Sequence, residues 1–337
     1  MRTRAIYGCA GPALTAEERT FFASAQPWGF ILFARNIVDP DQVRGLIEEM
    51  RATVNDPTAP VLIDQEGGRV ARLKPPHWKS RVPAARFGDL HAKDPENARE
   101  AAYLNARLMA VEMAALGINV DCVPVLDVPV EGADAIIGDR AYAREPAVII
   151  DLARAVIEGM IEGGVLPVMK HIPGHGRATA DSHLSLPHVS TDEEILSATD
   201  FVTFRSLSQC PIAMTAHVVY EAIDPQRPAT TSPKLIRDVI RGEIGFEGLL
   251  LSDDLSMQAL SGPISVRAKA ALFAGCDIVL HCNGTLAEMR DVAEEAKPLE
   301  GLALARAEAA RARLSTPDAF DAARAEARLT ELLGAVA

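Results

Sequence analysis

The sequence predicts an α/β protein built as a single-domain (β/α)₈ TIM barrel with a C-terminal helical extension. Eight short apolar segments alternate with amphipathic stretches, and polar, titratable residues follow most of the apolar segments directly. Strand–helix alternation favours parallel strands joined by right-handed crossovers. Polar groups at the carboxyl ends of many strands are typical of a barrel that builds a site on one face. An open doubly wound sheet is the alternative, although no G-x-G-x-x-G follows the first strand.

Each predicted strand is an apolar, β-rich run that ends in polar or turn-forming residues. The eight predicted strands are 4–9, 29–33, 60–64, 118–122, 165–169, 211–216, 248–252 and 277–281. Apolar residues at helical spacing lie between them. The predicted helices are 40–53, 95–116, 146–163, 192–208, 233–242 and 265–274. From about residue 286 the chain is rich in Ala, Glu and Arg with helical periodicity, so we expect residues 1–337 to form one domain with a helical tail.

Composition narrows the class of protein. The formal net charge is −12 and no basic patch is visible, which argues against a nucleic-acid partner. No segment approaches the roughly 18 apolar residues of a membrane span, and the N-terminus lacks the pattern of a signal peptide. The five cysteines are scattered without C-x-x-C spacing, which favours reduced thiols in the cytoplasm. We expect a cytoplasmic, monomeric protein with no membrane partner.

Two segments carry most of the chemistry. KHIPGHGRATADSH at 170–183 offers a lysine, three histidines and an aspartate, and LLLSDDLSM at 249–257 offers two adjacent carboxylates. In both segments the titratable residues begin where an apolar run stops, at the predicted carboxyl end of a strand. One carboxylate and one proton carrier are the minimum set of groups for breaking a glycosidic bond. Together the two segments supply this minimum set of groups.

Six motifs occur in order along the chain: IDQEGGR at 63–69, IGDRAY at 137–142, KHIPGHG at 170–176, ADSH at 180–183, MTAHVVY at 214–220 and SDDLSM at 252–257. Together they resemble glycoside hydrolase family 3, and more narrowly its single-domain bacterial β-N-acetylhexosaminidases. The resemblance implies a (β/α)₈ barrel that removes terminal β-linked N-acetylglucosamine with retention of configuration. It also implies a small sugar or muropeptide substrate, such as GlcNAc-anhydroMurNAc peptides formed during cell-wall recycling, and no cofactor or metal.

The resemblance assigns roles to residues of this chain. Asp253 matches the nucleophile of the family, and an ionised carboxylate can form a covalent glycosyl-enzyme. His183 matches the acid/base, with Asp181 fixing its tautomer and stabilising the imidazolium. Because consecutive strand residues point to opposite sides, only one of Asp253 and Asp254 is expected to face the sugar. The residues that match sugar-binding positions are Asp64, Arg72, Arg140, Lys170, His171 and His217.

Three alternatives remain open at this point. The first is a β-glucosidase of the same family, although the second domain and the Trp typical of those enzymes are absent. The second is a metal-dependent barrel hydrolase using Asp253 with His171, His175, His183 or His188. The third is a barrel that binds sugar without turnover.

Overall fold

The computed structural model describes residues 1–182 and 184–334 of the chain. Eight parallel strands close into a barrel, which confirms the predicted TIM barrel and excludes the open sheet. Along the chain the strands are β1 (Thr3–Tyr7), β2 (Pro27–Leu32), β3 (Val61–Ile63), β4 (Val120–Asp121), β5 (Leu166–Ile172), β6 (His188–Val189), β7 (Ile212–Thr215), β8 (Val219–Tyr220), β9 (Asp224–Pro228), β10 (Leu249–Asp254) and β11 (Ile278–His281). The barrel order is β1-β2-β3-β4-β5-β7-β10-β11, with β11 pairing back to β1.

Side chains alternate between two apolar layers along the barrel strands. On β10, Leu249 and Leu251 point into the barrel interior, while Leu250 packs in the layer between strands and helices. All three are fully buried. This alternation is the period of two that a closed parallel sheet imposes on its side chains. Truncating Leu250 to Ala would cost about 2–5 kcal/mol of unfolding free energy, because the cavity left behind refills only partly.

Helices surround the barrel, and several of them begin at sequence signals for capping. The α-helices are α1 (Ala16–Ala25), α2 (Pro40–Thr53), α3 (Ala85–His91), α4 (Pro95–Ala114), α5 (Pro146–Glu162), α6 (Glu193–Ser206), α7 (Ile264–Ala274), α8 (Leu286–Glu295), α9 (Gly301–Arg311) and α10 (Ala322–Gly334), with a π-type helix at Leu235–Glu243. The Asp39 and Asp94 side chains accept backbone N–H groups at the starts of α2 and α4, and proline follows each of them. None of the helices in this part of the chain combines the length and apolarity that crossing a bilayer requires.

A small sheet outside the barrel fixes the far end of the long segment after β5. Strands β6, β8 and β9 form it in the order β6-β8-β9. The Val219 amide donates to the carbonyl of Pro187 at 3.0 Å, which ties the end of the segment to the chain after β7. This sheet was not predicted, because strands of two residues carry no readable alternation. It determines where the segment that contains Asp181 lies relative to the barrel.

Candidate active site

A cavity of about 340 Å³ opens at the carboxyl ends of the barrel strands. Most of the predicted site residues line it, although the strands that carry them are far apart in sequence. The predicted residues on its wall are Asp64, Arg72, Arg140, Lys170, His171 and Asp253. Val70, Ile136, Ile137, Met214 and Met257 contribute apolar surface. The arrangement of a few converging polar groups on a partly apolar wall is typical of a small-molecule site.

Asp64 accepts hydrogen bonds from two cations on one side of the cavity. Its Oδ1 lies 2.9 Å from Lys170 Nζ, and its Oδ2 lies 3.0 Å from Arg72 Nη2. Burial alone raises the pKa of Asp64, but the charges of Lys170 and Arg72 lower it well below the ordinary value. The carboxylate is therefore ionised near neutral pH and can accept hydrogen bonds from vicinal sugar hydroxyls.

Glu66 forms a second ion-pair group beside the first. Arg140 donates from Nε and Nη2 to the two carboxylate oxygens of Glu66, each at 2.8 Å, and Lys170 Nζ lies 2.7 Å from Glu66 Oε1. Burial alone raises the pKa of Glu66, yet Lys170 and Arg140 lower it to about 2. Lys170 thus bridges two carboxylates, and Arg140 is fixed by a bidentate pair rather than free to move. Arg72 pairs with Asp64 rather than with Glu66.

The two adjacent aspartates at the end of β10 have different environments. The carboxylate of Asp254 accepts from the amides of Ser256 and Cys282 at 3.0 Å and from Asn283 Nδ2 at 3.0 Å. Asp253 is half-buried and accepts from the Asp254 amide at 2.8 Å. Burial alone raises the pKa of Asp253, but the imidazoles of His217 and His171 lower it. Asp254 organises the turn, whereas Asp253 presents an ionised carboxylate to the cavity.

Asp127 organises the two histidines of the KHIPGHG motif. Its Oδ2 lies 2.7 Å from His171 Nδ1, and its Oδ1 accepts the His171 and His175 amides at 3.1 and 2.7 Å. Burial alone raises the pKa of Asp127, and the positive charge available on His171 lowers it to about 2. The same burial lowers the pKa of His175 to about 4, with His171 adding to the effect. His175 is therefore neutral near pH 7.

The segment that contains Asp181 is attached to the barrel through Ser182. Ser182 is buried, and its Oγ lies 3.2 Å from His175 Nε2. The carbonyl of Ser182 accepts the Ala259 amide at 3.2 Å, which connects this segment to the turn after β10. Asp181 accepts the amides of Leu184 and Ser185 at its carbonyl. His183, the predicted acid/base, lies outside the described residues.

His217 is placed differently from the prediction of a sugar contact. It is fully buried, its Nδ1 lies 2.7 Å from Thr230 Oγ1, and its Nε2 lies 3.0 Å from the carbonyl of Asp254. Protein groups therefore occupy both ring nitrogens. This geometry supports a role in orienting the end of β10 rather than direct contact with a sugar.

Of the histidines proposed for a metal site, His171 and His175 line the cavity with Asp253 but are held by protein partners, and His183 lies outside the described residues. His188 lies on β6, half-exposed, with its Nδ1 3.0 Å from Glu221 Oε1. His171 directs Nδ1 to Asp127, and His175 directs Nε2 to Ser182. Within residues 1–182 and 184–334, no group of three or more His, Cys, Asp or Glu side chains is arranged to hold a metal ion.

Three residues of the site were not predicted as members of it. From the sequence, no site role was assigned to Glu66 or Asp127, and none to Ser182, which lies between two predicted catalytic residues. Glu66 is part of the IDQEGGR motif. The direction of the Glu66 side chain, however, depends on the turn at Gly67-Gly68, where both φ angles are positive. No local signal connects Asp127 to His171, which is 44 residues away.

Comparison with known proteins agrees with this geometry. Residues 9–316 match the model of the glycosyl hydrolase family 3 N-terminal domain. The Beta-hexosaminidase of Alkalilimnicola ehrlichii is 42% identical over 82% of this chain and 80% of its own length. That of Aromatoleum aromaticum is 39% identical over 81% of this chain and 77% of its own. A crystal structure of NagZ from Neisseria gonorrhoeae with N-trifluoroacetyl-D-glucosamine superposes with a TM-score of 0.81 at 31% identity, covering 100% of this chain and 98% of that one. The chain belongs to glycoside hydrolase family 3.

Proposed function

We propose that this family 3 enzyme is a retaining exo-β-N-acetylglucosaminidase that releases terminal β-linked N-acetylglucosamine. Its β-N-acetylhexosaminidase activity follows from relatives that are named Beta-hexosaminidase and are 39–42% identical over most of the chain. The structural neighbour from Neisseria gonorrhoeae binds an N-acylated glucosamine. The observation that carries the mechanism is the ionised Asp253 carboxylate on the wall of a cavity of about 340 Å³.

In the proposed first step, an Asp253 carboxylate oxygen attacks the anomeric carbon as the bond to the leaving oxygen breaks. The low pKa of Asp253 keeps the nucleophile ionised, because His217 and His171 favour the charged form against the effect of burial. The product is a covalent glycosyl-enzyme with inverted configuration. Water then attacks the same carbon, which returns Asp253 as a carboxylate and gives net retention.

The proton for the leaving oxygen is assigned to His183, with Asp181 as its orienting carboxylate. Histidine near its ordinary pKa can donate a proton in the first step and accept one from water in the second. Support comes from the segment itself, since Ser182 between the two residues contacts both His175 and the turn that follows Asp253. The acid/base and the nucleophile would thus belong to connected parts of the structure.

Exo specificity is proposed from the shape and charge of the cavity. The paired groups Asp64, Lys170 and Arg72 line one side, where they can bind the hydroxyls of a terminal sugar. Arg140 and His171 complete the predicted binding set on the wall. A cavity of this volume is at the lower end of the usual ligand-pocket range, roughly 300–1,000 Å³, and suits one sugar ring.

We also propose the cellular setting. The substrate is a muropeptide such as a GlcNAc-anhydroMurNAc peptide from cell-wall recycling, and the enzyme acts in the cytoplasm as a monomer formed by one domain over residues 1–337. The five cysteines are buried and unpaired, which suits a reducing compartment. The reaction as written uses protein groups and water and requires no cofactor.

Nitrophenol release tests the proposal. Wild type should hydrolyse the β-N-acetylglucosaminide in strong preference to the β-glucoside, and proton NMR should identify the β-anomer as the first product. A prior dialysis against a chelator should leave the rate unchanged. A preference for the glucoside would favour the β-glucosidase alternative, and loss of rate with the chelator would favour the metal-dependent one. Sugar binding without turnover of either substrate would indicate an inactive barrel.

A further inference from the structure

Asp127 contacts two backbone N–H groups and one imidazole nitrogen of the KHIPGHG segment. It lies in the chain after β4, is fully buried, and reaches the end of β5 because the carbonyl of Lys170 accepts the Leu126 amide at 2.7 Å. Its two oxygens divide the contacts: Oδ1 accepts the amides of His171 and His175, and Oδ2 lies 2.7 Å from His171 Nδ1. One oxygen therefore fixes the backbone, and the other contacts only the imidazole.

An ionised carboxylate accepts hydrogen bonds and cannot donate them. Burial raises the pKa of Asp127, but His171, through its charge and its hydrogen bond, and the His175 amide lower that pKa to about 2, so the carboxylate is ionised near neutral pH. The two amide hydrogen bonds to Oδ1 persist when His171 is neutral. His171 Nδ1 must then carry a proton. In the neutral imidazole this leaves Nε2 as an unprotonated acceptor on a ring that lines the cavity.

We infer that Asp127 is a positioning residue of the glycosidase reaction, which fixes His171 in the Nδ1-protonated tautomer so that Nε2 accepts a hydrogen bond from the substrate. The matching substrate group is a donor, namely a sugar O–H or the acetamido N–H. This inference rests on the proposed function and deepens it. The opposite tautomer would present a donor at the same place and would leave the substrate group without its acceptor.

Asp127→Asn separates the two functions of the carboxylate. The Asn Oδ1 can still accept both backbone amides, and this requirement directs the Asn amide nitrogen toward His171. Two donors would then face each other unless His171 loses the proton from Nδ1 and carries it on Nε2. We expect kcat/KM to fall by about 10- to 100-fold, as when the partner of a functional histidine is removed. The tautomer should change with the backbone still in place.

Nitrogen NMR of ring-labelled histidine at about pH 8 measures the tautomer directly. The His171 signals are identified by their absence in His171→Gln. Wild type should carry the His171 proton on Nδ1, and Asp127→Asn should carry it on Nε2. The double variant Asp127→Asn/His171→Gln should be no slower than His171→Gln alone, because the two residues act as one unit.

Asp277→Asn is the matched control for neutralising a buried carboxylate. Asp277 is buried and ion-paired to Arg241 and Arg306, and it precedes β11, at the end of the barrel opposite the cavity. The Asp277→Asn variant should have a lower unfolding temperature than wild type, with an unchanged His171 tautomer and unchanged kcat/KM.

Several results would overturn the inference. Wild-type His171 protonated on Nε2, or on both nitrogens at that pH, would do so even if Asp127→Asn fails to fold. An unchanged tautomer in Asp127→Asn, or a changed tautomer with kcat/KM within about twofold of wild type, would do so as well. A wild type inactive on the acetamido sugar would instead refute the proposed function, while the NMR comparison would still decide the tautomer.

Discussion

Asp253 and Asp254 are neighbours in sequence, but they differ in what binds their carboxylates. Both residues border the cavity, but Asp254 is held by Ser256, Cys282 and Asn283, whereas the carboxylate of Asp253 accepts only the amide of Asp254 among the hydrogen bonds of the described residues. The hydrogen bonds of Asp254 fix the turn, and the turn fixes the direction of Asp253.

Asp253→Ala should lower kcat by roughly 10³-fold or more, because no other group supplies the covalent nucleophile. Asp254→Asn should act mainly on stability, because it disturbs donors that are buried around it. Steady-state kinetics and thermal unfolding of both variants measure the difference. The assignment would be wrong if Asp253→Ala kept its rate and Asp254→Asn lost it. A trapped glycosyl-enzyme mapped by mass spectrometry gives an independent check.

Glu66→Gln should destabilise the protein and raise KM. The variant leaves Arg140 without its bidentate partner in a buried position, and breaking a buried ion pair costs about 3–5 kcal/mol. Chemical denaturation and Michaelis–Menten kinetics measure the two effects. Glu49→Gln is the matched control, since Glu49 pairs with Arg19 on the surface and should cost at most about 1 kcal/mol. Equal stability losses in the two variants would contradict the role given to Glu66.

The unfolding free energy should decrease as pH falls, over a pH range that the pKa of His175 defines. The pKa of His175 is about 4 in the fold, below its ordinary value of 6.5. Between these values the unfolded chain binds a proton that the folded chain does not, so the unfolding free energy falls as pH falls from 6.5 toward 4. The loss amounts to about 3 kcal/mol at most.

Urea unfolding of wild type and His175→Gln across pH 4 to 8 checks this window. The variant should show a shallower decrease over the same range. Some slope should remain, because burial also lowers the pKa of His217. Identical slopes in the two proteins would show that His175 does not contribute.

Ser182→Ala should reduce kcat more than it reduces stability. The change removes the hydrogen bond to His175 Nε2 and costs about 1 kcal/mol, but it loosens the segment that carries Asp181. We expect kcat to fall by about tenfold with KM nearly unchanged. Ser185→Ala, an exposed serine of the same segment, is the control and should retain the wild-type rate. If both variants behaved alike, the contact with His175 would have no part in catalysis.

The barrel strands were predictable because each is a local pattern. All eight predicted strands occur, and helix α2 has the predicted bounds. The strand predicted at 118–122 is shorter and comprises Val120–Asp121. Helix α1 was missed although Thr15 and Glu18 form a capping box, a signal that the sequence contains.

Long-range pairing in the site was not predictable in the same way. The bond from His171 to Asp127 spans 44 residues, and the one from Arg140 to Glu66 spans 74. Sequence pattern placed His171, Asp127 and Glu66 after predicted strands and Arg140 in a loop, but it gave no partner for any of them. His217, which follows a predicted strand, was expected to contact the sugar. The structure instead buries it between Thr230 and Asp254.

The sequence by itself determined the barrel, the family and the residue types available at its carboxyl face, because apolar periodicity and motif spacing are local properties. Only the tertiary structure decided which carboxylate faces the cavity, which cations neutralise Asp64 and Glu66, and which residue orients His171. Closure of the barrel brings the strand ends together, and the turns that follow set the direction of each side chain. Those directions determine every hydrogen bond and pKa of the site, and they depend on contacts between residues distant in sequence.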